Sequence, residues 1–113
     1  MVDIGDPLYK PLSKLLIETY ARYGKPMLIA ETGIEAARRA AWFQYVSTRA
    51  DLAMKAGVPL GGICLYPIVN HPGWDDQRPC ENGLLSAAFS ITGREIHQPL
   101  ADAIESYSLG PYR

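Results

Sequence analysis

At 113 residues, 48% of them hydrophobic, and with a formal net charge of −1, the chain suits one domain with its own core and leaves no electrostatic footprint for nucleic acid or an anionic membrane. None of its apolar runs approaches the ~20 residues of a membrane helix. The opening Met1-Val2-Asp3-Ile4-Gly5-Asp6 has neither the basic nor the apolar segment of a signal peptide. The expectation is a cytoplasmic protein, residues 1–113 as one domain, with no separate linker and no metal or organic cofactor.

After a polar lead-in over 1–9, Leu12, Leu15, Leu16 and Tyr20 recur at helical spacing. Pro11 suits the first turn of this helix, Gly24 its C-terminal cap, and Pro26 forbids its continuation. Met27-Leu28-Ile29-Ala30 is then an apolar run ending in a carboxylate, Glu31, with Thr32 and Gly33 following at once. Such a run reads as a strand buried in a parallel sheet. Its charged end falls on the rim where α/β folds keep their sites. A rim glutamate that caps the next helix or pairs with an arginine is the plainer reading of Glu31.

Thr32-Gly33-Ile34-Glu35 has the pattern of a capping box. The helix behind it extends to about Ala56, with Trp42, Tyr45/Val46, Ala50, Ala53 and Met54 facing inward and Arg38, Arg39 and Arg49 facing solvent or carboxylates. Gly57 and Pro59 stop it, and Leu60 to Tyr66 reads as a second strand, in which Gly61 and Gly62 invite close approach of backbone or ligand. Residues 67–90 have no clear period. A segment this long is either functional or disordered, and its Pro67, His71, Trp74, Asp75, Asp76 and Arg78 are too aromatic for a linker. A last helix spans about Pro99 to Tyr107.

Gly24-x-Pro26 and Gly57-x-Pro59 form an internal echo, each closing a helix and opening a strand. Strands joined through a helix are parallel with a right-handed crossover. Glu31 and Tyr66 therefore leave the sheet on the same rim. The two cysteines, Cys64 and Cys80, match no metal spacing. Cys64, inside an apolar run, reads as a core thiol, and a Cys64–Cys80 disulfide is disfavoured in a reducing compartment.

The run Pro-Met-Leu-Ile-Ala-Glu-Thr-Gly, then Gly-Gly-Ile-Cys-Leu-Tyr-Pro-Ile-Val-Asn-His-Pro-Gly-Trp-Asp-Asp, then Asn82-Gly83-Leu84, resembles the C-terminal part of a (β/α)8-barrel retaining glycoside hydrolase of the bacterial β-glucosidase-like branch. The resemblance covers nearly the whole chain. It implies a partial barrel: two parallel strands and three helices in the order helix–strand–helix–strand–loop–helix. It also implies that Glu31 is the nucleophile. Tyr66 stands where that family has a tryptophan under the sugar. A cis peptide at Tyr66-Pro67 would aim its ring. A full barrel takes about 250 residues, so the acid/base glutamate of the family is expected upstream of Met1.

Retaining hydrolysis needs two carboxyl groups about 5–5.5 Å apart, one ionised and one protonated. Glu31 suits the first role, and Asp75, Asp76 and Glu81 are the nearby choices for the second. Tyr66 and Trp74 offer rings for a pyranose or simple rim packing, and His71 and Asp75 offer hydrogen bonds to hydroxyls. Arg78 either orients Glu31 or pairs with Asp75 or Asp76. Two readings follow: a glycosidase fragment that is inactive alone, or a non-catalytic βα module that binds saccharide weakly. Both leave strand edges uncovered, so a homo-oligomer or association with the missing barrel portion is expected.

Overall fold

The computed structural model describes residues 4–87 and 93–108. Helix α1 spans Leu12–Tyr23. The Pro11 carbonyl accepts the Lys14 N–H at 2.9 Å, and Gly24, in the left-handed conformation at φ 60°, closes the helix by donating to Tyr20 O at 2.7 Å. Leu12, Leu16 and Tyr20 turn one stripe inward, four residues apart. Leu15 is off that stripe and lies exposed.

Strands β1 (Met27–Thr32) and β2 (Leu60–Leu65) pair in parallel. Their register is Met27↔Leu60, Ile29↔Ile63 and Thr32↔Leu65. Each strand thus carries one extra residue in turn: β2 at Gly61-Gly62, then β1 between Ile29 and Thr32. Strand β1 alternates: Met27 and Ile29 pack on Leu16, Ala53 and Val58, whereas Leu28 is 57% exposed. The expected burial on both faces is therefore half realised, because the helices cover only one face of the sheet. Cys64 follows from the same alternation. It is exposed, and Cys80 is the buried thiol, both of them free. This reverses the reading of Cys64 as a core residue.

Helix α2 (Arg39–Lys55) is entered through a 3-10 turn, Ala36–Arg38. The predicted capping box does not form. Thr32 stays in β1 and its hydroxyl accepts the Trp42 Nε1–H at 2.8 Å, while Glu35 makes no side-chain cap. Tertiary partners have taken both side chains from the helix end. The buried stripe of α2 is Phe43, Val46, Ser47, Ala50 and Ala53, with Met54 38% exposed and Trp42 and Tyr45 half-buried. The helix lies between α1 and α3, so a wider arc is buried than a one-sided pattern predicts. Arg39 is also buried, not solvated. Its guanidinium donates to Ala36 O at 2.8 Å and Gly83 O at 2.7 Å. Arg49 lies over the Tyr45 ring.

The segment after β2 contains a short hairpin, β3 (His71–Pro72) against β4 (Pro79–Cys80), and a bridge from Val69 to Leu85. Helix α3 (Gln98–Ser108) buries Leu100 and Ala103 against Phe43. The part of the long segment over 88–90 lies outside the described residues. No helix among the described residues is long and apolar enough to cross a membrane.

Candidate functional site

Parallel pairing brings the ends of β1 and β2 together, and the Tyr66 N–H donates to Thr32 O at 2.9 Å. The extra residue in β1 leaves both Ala30 and Glu31 exposed instead of alternating. Glu31 and Tyr66 then line one cleft of about 580 Å³, together with Glu35, Arg38, His71 and Trp74. The Tyr66-Pro67 bond is cis. Close approach of glycine backbone occurs at Gly33 and Gly83, not at the expected Gly61 and Gly62. A Cβ on Gly33 would strike the Tyr66 carbonyl oxygen, and one on Gly83 would lie 2.6 Å from Asn70 N and from Val69 C. At Gly62 a Cβ meets nothing within 4 Å.

Of the residues expected at the site, Glu31, Tyr66, His71 and Trp74 line the cleft. Asp75 does not: it lies exposed outside the lining. Arg78 reaches neither Glu31 nor Asp75. Its guanidinium makes two hydrogen bonds to Glu35, Nη1 to Oε2 and Nη2 to Oε1, each 2.9 Å, with Asp76 Oδ2 3.9 Å away. The Asp76 carboxylate is occupied in its own turn, accepting the Arg78 backbone N–H at 2.9 Å.

Tyr66 is 43% exposed and its ring centre lies 5.8 Å from that of His71, tilted by 48°. His71 Nδ1 lies 2.8 Å from Pro72 O, which can only accept, so that nitrogen carries the proton. Its Nε2 faces the Asn82 side-chain amide at 3.4 Å. Trp74, at the tip of the hairpin, is 85% exposed.

The cleft holds a second carboxylate that sequence reasoning assigned elsewhere. Glu35 was expected to cap α2, and it lines the cleft instead. Hydrogen bonding by Arg78, with a smaller electrostatic contribution from Arg38, holds its carboxyl below the usual carboxylate range, outweighing partial burial. It is therefore ionised at neutral pH and cannot donate a proton. Arg38, expected to face solvent or carboxylates, also lines the cleft, as does Asn82. One signal for Glu35 and Arg38 was available: residues directly after a strand end in an α/β fold stand on the rim. Among the described residues, no group of three or more His, Cys, Asp or Glu is placed to hold a metal ion.

Two parallel strands backed by helices, with their carboxyl ends opening on one cleft, are a section of a (β/α)8 barrel. Solved structures that it resembles include β-glycosidases and β-glucosidases. It is similar to the β-glycosidase of Thermosphaera aggregans at 23% identity and TM-score 0.74, covering 86% of this chain and 21% of that one. It is likewise similar to β-glucosidase 1317 at 19% identity and TM-score 0.72, covering 97% of this chain and 29% of that one. A third is the β-glucosidase of Thermotoga maritima in complex with a calystegine derivative, at 16% identity and TM-score 0.67, covering 81% of this chain and 24% of that one. The chain spans less than a third of the length of each. No protein-family model and no curated protein matches the sequence. The fold is thus that of a section of a (β/α)8 barrel.

Proposed function

We propose that this chain is the C-terminal section of a retaining β-glycosidase-type barrel, with Glu31 as the nucleophile. The observation that carries this reading is the shared cleft: an acidic strand end and an aromatic strand end open on the same rim. Glu31 would attack the anomeric carbon as a carboxylate. Tyr66 would lie under the sugar ring, His71 would bind a hydroxyl, and Trp74 would meet the ligand at the mouth. The proton donor would come from elsewhere, because Glu35 is held ionised by Arg78, and Asp75, Asp76 and Glu81 are not among the residues lining the cleft. The chain alone is then inactive. The uncovered sheet face with Leu28, and a groove of about 500 Å³ along β2 lined by Leu65, Ile68 and Ile104, would receive the remaining barrel strands. A 2-deoxy-2-fluoro glucoside should label Glu31, detected by peptide mass, only in a preparation that also supplies an acid/base carboxylate. No label under either condition overturns the catalytic role.

A second reading is a non-catalytic module that binds saccharide through Tyr66 and Trp74 and associates with its own copies. The ionised Glu35 and the bare sheet face favour it. Titration with gluco- and galacto-configured sugars, followed by tryptophan fluorescence, distinguishes the two: a flat response removes the saccharide-binding module, while a 12.5 kDa monomer in light scattering removes self-association.

A further inference from the structure

We propose that Glu35 and Arg78 are positioning residues. Their ion pair clasps the Trp74 turn to the rim, so a charge pair at the edge of the cleft sets the affinity for an uncharged saccharide. The proposal rests on the saccharide reading above.

Trp74 sits in a turn that is closed on itself. The Gly73 N–H donates to Arg78 O at 2.7 Å, and the Arg78 N–H to Asp76 Oδ1 at 2.9 Å. That turn is rigid within itself, but the hairpin that carries it is short, with two residues in each of β3 and β4. Two-stranded ribbons of this size do not hold a fixed position alone. The indole cannot anchor it either, being 85% exposed. The Arg78 side chain reaches back across 43 residues to Glu35, on the segment between Glu31 and α2, with both arms of its fork engaged. A fork–fork pair fixes direction as well as distance. The aromatic wall of the cleft is thereby registered against the strand end that carries Glu31.

The pair is 55% and 41% exposed, so it adds little to global stability. Its effect is local, on a turn near the low-stability end of the molecule. Exposure also makes it salt-sensitive, since the screening length falls from about 10 Å at 0.1 M to about 3 Å at 1 M.

The test uses the full chain labelled with 5-fluorotryptophan. Trp42, hydrogen-bonded to Thr32, serves as the internal reference for Trp74. Glu35→Gln, and independently Arg78→Lys, which loses the fork, should shift the Trp74 fluorine resonance toward its position in unfolded chain. The Trp42 resonance and the melting temperature should stay in place. Titration with phenyl β-D-glucopyranoside should show affinity falling about two- to fivefold in either variant. Wild type should lose a similar factor between 0.1 and 1 M NaCl, and Glu35→Gln should not respond to salt. An unmoved Trp74 resonance in both variants overturns the clasp, whatever the glucoside does. A freed Trp74 with unchanged affinity overturns its control of binding. A freed Trp74 with no glucoside binding in wild type overturns the saccharide reading and the control of affinity, while the mechanical clasp stands.

Discussion

Adding one methyl group at Gly33 should open the mouth of the cleft. In Gly33→Ala the new carbon would lie 3.1 Å from the Tyr66 carbonyl carbon, against an ordinary contact of 3.4–4 Å, and closer still to its oxygen. Both sides of this contact are backbone, so no side chain can rotate away. The β1 and β2 ends must separate instead, at an overpacking cost of about 1–3 kcal/mol. Separation also strains the Tyr66 N–H to Thr32 O bond, now 2.9 Å, adding about 0.5–1.5 kcal/mol. The sum, about 1.5–4.5 kcal/mol, is a sizeable share of the roughly 5–15 kcal/mol that holds a typical domain together. For a chain of this size it corresponds to a fall of about 6–18 °C in Tm. Circular dichroism melts should show that fall. Gly62→Ala is the control: its Cβ meets nothing, and it should melt with wild type or slightly above it. Equal melting of Gly33→Ala and Gly62→Ala would refute the close-approach reasoning.

Two further outcomes are expected. Leu100→Ala removes a 1%-exposed side chain packed on Phe43 and should cost about 2–5 kcal/mol in denaturant titration, the largest loss falling on α3. Among the described residues the buried Nε2 of His97 has no hydrogen-bond partner; burial first, and Arg39 second, push its pKa below the usual imidazole value, with Glu81 opposing. The unfolded chain therefore binds a proton that the folded chain resists. Stability should be complete above about pH 6.5 and fall as the pH drops below it, and His97→Gln should flatten Tm over that range.

Much of the site was legible because it depends on local chain signals and one topological rule. Gly24 and Gly57 both take positive φ, the conformation their Gly-x-Pro punctuation predicts, so two helix stops and two strand starts could be read directly. A helix between two strands then forces a parallel pair, which puts Glu31 and Tyr66 on one rim. The errors share the opposite cause. Glu35 matches a capping box in four residues of sequence, yet Arg78 lies 43 residues away and offers two charged hydrogen bonds. Arg39 looks like a surface residue until the Gly83 carbonyl, 44 residues on, comes within 2.7 Å.

By itself the order of the residues determined the elements, their direction and the pairing of an acidic with an aromatic strand end. Those follow from backbone conformations that each short stretch prefers and from the handedness of the chain. Only the tertiary structure decided which face of β2 shows Cys64, which buried arc α2 presents, and that Arg78 reaches Glu35 as well as the Asp76 beside it. Such choices compare contacts between distant segments, and their energies exist only once the segments have met.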